Sequence, residues 1–314
     1  MLQTSSKLDP GKFRDPAMTA DGQRRASVRL RALETLWFNT GTLCNLTCRN
    51  CYIESSPRND RLAYLSAAEV TGFLDEIARD RLPVRTVGFT GGEPFMNPDL
   101  LAMLTDTLDR GHQALVLTNA MRPMMRSADA LLALRARHGG RLRLRVSIDH
   151  YTTTLHEAER GAGAWSPAIE GVKFLAGAGF PVEVAGRLFS NEPEDVVRAG
   201  FARLFAAEGV AIDAQDRVAL VLFPEMDAAV DVPEITESCW GILRRTPDSV
   251  MCSSSRMVVR RREASGASVV ACTLLPYESE FDLGATLEEA ARAVPLNHPH
   301  CARFCVLGGG ACSQ

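Results

Sequence analysis

The chain has 314 residues, a mass of 34.2 kDa and a net charge of -3. Its 46% hydrophobic and 23% charged residues are typical of a globular protein and exclude general disorder. The balance of 35 basic and 38 acidic side chains gives no support to nucleic-acid binding. No apolar run approaches the roughly 18 residues of a membrane span, and the first residues lack a signal-peptide core, so we expect a cytoplasmic protein with no membrane partner.

Residues 1–33 contain seven Lys or Arg and no clear periodicity, which predicts a basic, partly ordered lead-in without chemistry. Strands and helices then alternate. The predicted strands are 36–39, 84–89, 114–117, 142–148, 182–188 and 218–223. The predicted helices are 66–78, one opening near residues 97 and 98, 127–137, 168–178 and 194–207.

This alternation predicts a parallel sheet with helices outside it, either open and doubly wound or closed toward a barrel. Both architectures place ligands at the carboxyl ends of the strands. The alternation stops near Pro224. A hairpin over 257–262 and 268–271 follows, and then a short helix near 287–292.

Three cysteines, Cys44, Cys48 and Cys51, come directly after the first strand. Three thiolates can hold three irons of a [4Fe–4S] cluster and leave the fourth iron open for a substrate or cofactor. The alternative is a core stripe, because these spacings would also place three small apolar residues on one face of a helix.

This Cys-x3-Cys-x2-Cys segment resembles the signature loop of the radical SAM superfamily, in which a [4Fe–4S] cluster follows the first strand of a partial (β/α)6 barrel. The resemblance covers about residues 35 to 223 and implies such a barrel over residues 34–224. The family usually has an aromatic residue before the third cysteine, near the adenine of S-adenosylmethionine. Asn50 stands there in this chain, which leaves Tyr52 as the candidate for that contact.

Further motifs follow the later strands. Gly91, Gly92 and Glu93 resemble the Gly-Gly-Glu motif that holds the amino group of S-adenosylmethionine, although alone they would also suit a strand-to-helix turn. The resemblance also implies that side chains near the ends of the third, fourth and fifth strands contact the cofactor, with capping or simple solvation as the alternative. These side chains are Asn119, Ser147, Asp149 and Arg187.

The remaining six of nine cysteines lie between Cys239 and Cys312. A chain without an export signal keeps its thiols reduced, so metal binding or catalysis is a better explanation than disulfides. Residues 235–314 resemble the twitch domain, a relative of the SPASM domain that holds an auxiliary iron–sulfur cluster. The resemblance implies four ligands, Cys252, Cys272, Cys301 and Cys305.

Three alternatives concern these tail cysteines. Cys312 is the rival for the last ligand position, and zinc would accept the same four thiolates. Cys239 and Cys312 are the two thiols left over, each either an inert buried thiol or a hydrogen donor to a substrate radical.

The resemblance implies an oxidoreductase that reductively cleaves S-adenosylmethionine at a [4Fe–4S] cluster. The resulting 5′-deoxyadenosyl radical would abstract a hydrogen atom from a small-molecule substrate for oxidation or bond formation, with an electron supplied by a partner such as flavodoxin or ferredoxin. The resemblance also implies a second [4Fe–4S] cluster, on the tail cysteines, that would assist. The runner-up is a maturase acting on a partner-delivered peptide, which usually needs a leader-recognition domain longer than the lead-in. The alternatives of another class are an electron-transfer protein and a zinc-stabilised binding protein.

Overall fold

The computed structural model describes residues 7–310, and Cys312 lies outside these described residues. One large sheet dominates this part of the chain. Six consecutive strands of this sheet are parallel and adjacent in chain order, which is the arrangement of a partial (β/α)6 barrel. These strands are β2 (Thr35–Asn39), β3 (Thr86–Thr90), β4 (Gln113–Thr118), β5 (Leu142–Ser147), β6 (Val182–Leu188) and β7 (Leu220–Pro224).

Eight α-helices are present in residues 7–310, and most of them connect the parallel strands. They are α1 (Ala67–Arg79), α2 (Leu100–Asp109), α3 (Arg122–Met125), α4 (Ala128–His138), α5 (Thr153–Arg160), α6 (Trp165–Gly177), α7 (Glu194–Glu208) and α8 (Cys239–Leu243). The six predicted strands and five predicted connecting helices are all present. Sequence patterns missed α3 and α5, which are short, and placed the start of α2 too early.

The helices pack on the sheet through regularly spaced apolar residues. In α1 the buried positions are Val70, Phe73, Leu74 and Ile77, the three- and four-residue spacing of one helix face. Ser66 begins this helix with a capping box, because its side chain accepts from the backbone N–H of the third helical residue while Glu69 binds back to the cap. Every residue of β2 is buried, as expected for a strand covered on both faces.

The hairpin of the tail extends the barrel sheet. It consists of β8 (Ser255–Val259) and β9 (Ser268–Val270), and β10 (Asp282–Gly284) pairs with β9. β8 lies parallel to β2, on the side opposite β3. The hairpin prediction is confirmed, whereas the predicted helix near 287–292 is only a turn of 3-10 helix at Glu289–Ala291. The boundary between barrel and tail stays a prediction.

The lead-in packs against the tail. β1 (Ser27–Val28) pairs antiparallel with β11 (Val294–Pro295). The Arg25 guanidinium is buried and forms an ion pair with Glu234 at 2.5 Å. The described part of the lead-in is therefore ordered by contacts with residues more than 200 positions away. No helix within residues 7–310 combines the length and the apolar character needed to cross a bilayer.

Candidate active site

The first cysteine loop follows β2 and contains no helix. Between Asn39 and Ala67 the chain forms turns and isolated bridges. The alternative that places Cys44, Cys48 and Cys51 on one face of a helix is therefore wrong. The three thiols instead line one cavity, together with residues at the carboxyl ends of the strands.

Burial disfavours the thiolate form of two of these cysteines. It raises the pKa of Cys44 to about 12 and also raises the pKa of Cys48. In residues 7–310 no three His, Cys, Asp or Glu side chains are grouped closely enough for a single metal ion. A cluster makes a different demand, because each thiolate binds a different iron atom. Three thiols on one cavity wall, each electrostatically coupled to the others, fit a cluster with one open iron.

Two glycines hold the cysteine loop against the end of β3. A Cβ atom on Gly92 would lie 2.2 Å from the carbonyl oxygen of Leu43, and one on Gly91 would lie 2.4 Å from that of Gly41. The φ angle of Gly91 is 136°, which strains any other residue. The N–H of Gly92 donates to Gly41 O at 2.8 Å, and the N–H of Glu93 donates to Leu43 O at 3.1 Å. Close approach of two backbones therefore explains both glycines.

The Glu93 side chain is buried behind the cavity wall. Its carboxylate accepts hydrogen bonds from the Thr118 hydroxyl at 2.8 Å, the Asn119 N–H at 2.8 Å and the Phe95 N–H at 3.2 Å. Burial nevertheless raises the pKa of Glu93 to about 7. In this structure the carboxylate joins the end of β3 to the end of β4, and it is not among the side chains that line the cavity.

Helix α5 contributes two residues that the sequence did not single out, Glu159 and Arg160. The Glu159 carboxylate accepts from Asn50 at 2.9 Å and from Arg187 at 2.6 Å. The Arg160 side chain forms an ion pair with Asp149 at 2.8 Å and lines the cavity. Its position at the last turn of α5 also suits a cation, because the helix dipole is negative there.

The charges around Arg160 interact strongly. Burial alone would lower the pKa of Arg160, but Asp149 and the thiols of Cys48 and Cys44 raise it. Burial also opposes the charged form of Asp149, but the nearby Arg160 and Arg187 outweigh this effect, so the pKa of Asp149 is lowered overall. The cavity therefore contains a permanent cation beside the cysteine loop.

The cavity brings together seven of the eight residues predicted to contact the cofactor. They are Tyr52, Gly91, Gly92, Asn119, Ser147, Asp149 and Arg187. Apolar side chains of β7, of the segment after it and of the tail complete the wall. No sequence pattern placed them at this cavity, because apolar residues of this kind are ordinary core residues. They include Phe223, Met226, Leu274 and Phe304.

Four tail cysteines are buried, and at least three of them form one group. Cys252 precedes β8, Cys272 follows β9, and Cys301 and Cys305 lie in a π-helix, Cys301–Leu307. Burial raises the pKa of Cys301 well above its ordinary value, and the neighbouring Cys272 and Cys252 thiols raise it further. Because no three side chains of this kind in residues 7–310 lie close enough for a single metal ion, the thiol group suits a cluster better than one ion.

The leftover thiol Cys239 lies elsewhere. It begins α8. Its sulfur accepts from the Thr236 N–H at 3.4 Å and shares a hydrogen bond with the Thr236 hydroxyl at 3.3 Å. It is not among the residues that line the cavity. Both of these observations favour an inert thiol for Cys239.

Known proteins resemble part of this chain. A family model described as the radical SAM superfamily matches residues 38–195. The AdoMet-dependent heme synthase of Methanosarcina barkeri is 28% identical over 156 residues, which are 49% of this chain and 42% of that protein. The antilisterial bacteriocin subtilosin biosynthesis protein AlbA of Bacillus subtilis is 29% identical over 193 residues, which are 61% of this chain and 40% of AlbA. The matches thus span about two fifths of each relative's length.

The fold agrees with these matches. The structure of Streptococcus suis SuiB bound to S-adenosylmethionine superposes with a TM-score of 0.59, at 11% identity, over 81% of this chain and 64% of SuiB. The family match covers 158 of the 314 residues, from within β2 to the start of α7, and contains the first cysteine loop. The chain therefore belongs to the radical SAM superfamily.

Proposed function

We propose that this enzyme holds a [4Fe–4S] cluster on Cys44, Cys48 and Cys51 and binds S-adenosylmethionine in the adjoining cavity. The observation that supports this most directly is that three thiols, two glycines and polar strand ends line one cavity. When bound, the cluster and cofactor supply a 5′-deoxyadenosyl radical that abstracts a hydrogen atom from substrate.

The chain's own residues would bind and orient the cofactor. Arg160 and Arg187 are each paired with one carboxylate, Asp149 and Glu159, and a guanidinium has further N–H groups that would donate to a cofactor carboxylate. Gly91 and Gly92 expose backbone atoms at the cavity edge, and Tyr52 offers an aromatic face there. The apolar side chains opposite, among them Phe304, exclude water from the reacting atoms.

We also propose a second [4Fe–4S] cluster on Cys252, Cys272, Cys301 and Cys305, with Cys312 as the alternative fourth ligand. Zinc is the less favoured metal, because no three thiols of residues 7–310 lie close enough for a single ion. The support for the cluster is the buried thiol group, in which Cys301 is coupled to Cys272 and Cys252. Phe304 lies in the π-helix between two of these ligands and lines the first cavity. A substrate in that cavity would thus lie beside both centres, which suits oxidation or bond formation.

We favour a peptide as the substrate. AlbA, a bacteriocin biosynthesis protein, matches 61% of this chain, whereas the heme synthase matches 49%. The heme synthase supports the second candidate, a small molecule. Either reaction needs an electron from a reducing partner such as flavodoxin or ferredoxin.

Metal analysis tests the two-centre proposal. Anaerobically purified protein should contain about eight irons and little zinc. About four irons with stoichiometric zinc would overturn the auxiliary cluster and leave the first site intact.

Cofactor cleavage tests the first site. Cys48→Ala should abolish 5′-deoxyadenosine formation from S-adenosylmethionine and dithionite, because two remaining thiolates do not retain the cluster. Cys239→Ala is the matched control and should cleave the cofactor normally. Undiminished cleavage by Cys48→Ala would contradict the assignment.

The substrate class can be tested with extracts. Substrate should raise the rate of 5′-deoxyadenosine formation, so a stimulating extract fraction is assayed before and after protease digestion. Loss of stimulation after digestion supports a peptide. Retention of stimulation supports the small molecule.

A further inference from the structure

Arg256 is a buried cation without a carboxylate. It lies in β8 opposite Leu36 of β2, and none of it is exposed. Its guanidinium donates to four backbone carbonyl oxygens: Ala290 at 2.9 Å, Cys252 at 2.6 Å, Ser255 at 2.8 Å and Arg292 at 3.1 Å. No Asp or Glu of residues 7–310 forms an ion pair with it.

A buried charge is normally paired, because desolvation costs several kcal/mol. The other three buried arginines of residues 7–310 follow this rule. They form the pairs Arg25–Glu234, Arg145–Glu183 and Arg198–Glu194. Arg256 differs from them because its neighbours are thiols. Its guanidinium donates to the carbonyl oxygen of Cys252, and the next residue, Met257, pairs with Val270, two residues before Cys272. Carbonyl dipoles satisfy the N–H groups but do not neutralise the charge.

We propose that Arg256 is the internal counter-charge and positioning residue of the auxiliary centre, compensating the thiolates of Cys252 and Cys272. This inference rests on the auxiliary cluster proposed above. Through its bonds to the carbonyls of Cys252 and Ala290, the guanidinium also fixes the loop before β8 against the segment after β10.

The expected consequence is electrostatic. Reduction adds a negative charge to a cluster, and a nearby cation stabilises the added charge. Removing the charge of Arg256 should therefore make the auxiliary cluster harder to reduce. Retaining the charge with lysine should largely preserve its potential.

The experiment is a redox titration monitored by electron paramagnetic resonance, on full-length protein carrying Cys48→Ala so that only the auxiliary cluster contributes. Arg256→Met, Arg256→Lys and the control Arg261→Met are compared. Arg261 is on the same hairpin and pairs with Asp282 instead. Arg256→Met should lower the equilibrium constant for one-electron reduction of the auxiliary cluster about tenfold, which shifts its reduction potential down by about 59 mV. Arg256→Lys and Arg261→Met should match the parent.

Iron loss in Arg256→Met with retention in Arg256→Lys would also support the proposal. Equal potentials in all variants, or equal iron loss with Met and Lys, would overturn it. Thermal unfolding of the iron-loaded and the metal-free protein is measured in parallel. If Arg256→Met lowers the Tm equally in both forms, Arg256 is only structural and the proposal fails. Parent protein without auxiliary iron would instead overturn the proposed cluster.

Discussion

Substituting Gly92 by alanine should detach the first cysteine loop from the barrel. The new Cβ would lie 2.2 Å from the Leu43 carbonyl oxygen, which belongs to the backbone and cannot rotate away. The loop must move, and the bonds Gly92 N–H to Gly41 O and Glu93 N–H to Leu43 O are then lost. Two bonds at about 1 kcal/mol each and an overpacking cost of about 1–3 kcal/mol lower the free energy of unfolding by roughly 3–5 kcal/mol.

Urea unfolding of the metal-free protein measures this change, and iron content after reconstitution measures its effect on the loop. Gly72→Ala is the matched control. Gly72 is exposed within α1, and nothing lies within 4 Å of its Cβ position, so this change should stabilise the protein by about 0.5–1 kcal/mol. If Gly92→Ala unfolds at the parental urea concentration and recovers full iron, the backbone-approach argument is refuted.

Three further outcomes are expected. Folding raises the pKa of Glu93 from 4.5 to about 7, so the folded state binds this proton more tightly than the unfolded state. As the pH rises from 4.5 to 7, the free energy of unfolding of the parent should therefore fall by up to about 3 kcal/mol relative to Glu93→Gln, as urea titrations at several pH values would show. Glu234→Gln should leave the buried Arg25 without its ion-pair partner, which should destabilise the lead-in by about 3–5 kcal/mol and speed its proteolysis. The control Asp248→Asn removes an exposed ion pair with Arg31 and should change neither quantity measurably. Cys239→Ala should retain all iron; any loss of iron would make Cys239 a ligand.

Much of the barrel could be predicted because its signals are local. Alternating strands and helices appear in short windows of sequence, and the cysteine spacing marks the loop after the first strand. The pairing of β8 with β2 could not be predicted, because it depends on which edge of a finished sheet is free.

The candidate site was predicted only in part, for a related reason. Arg160 and Glu159 lie in α5, where charged residues ordinarily face solvent, and no pattern marks two that turn inward. Glu93 was expected in the cavity, and its carboxylate is instead occupied by the Thr118 hydroxyl and two backbone N–H groups. Whether Glu93 binds these groups or a ligand depends on how the end of β3 is placed relative to the end of β4, which no short window of sequence shows.

The contacts of the lead-in also constrain the order in which the chain folds. Ser27 pairs with Pro295, so the lead-in must wait for nearly the whole chain to be synthesised before it reaches its place. During translation the six barrel strands emerge first, since β7 ends at Pro224. Contacts this distant in sequence form slowly, because a long loop must be closed first. Docking of the lead-in is therefore a late step, and it secures the tail only after the barrel has had time to form.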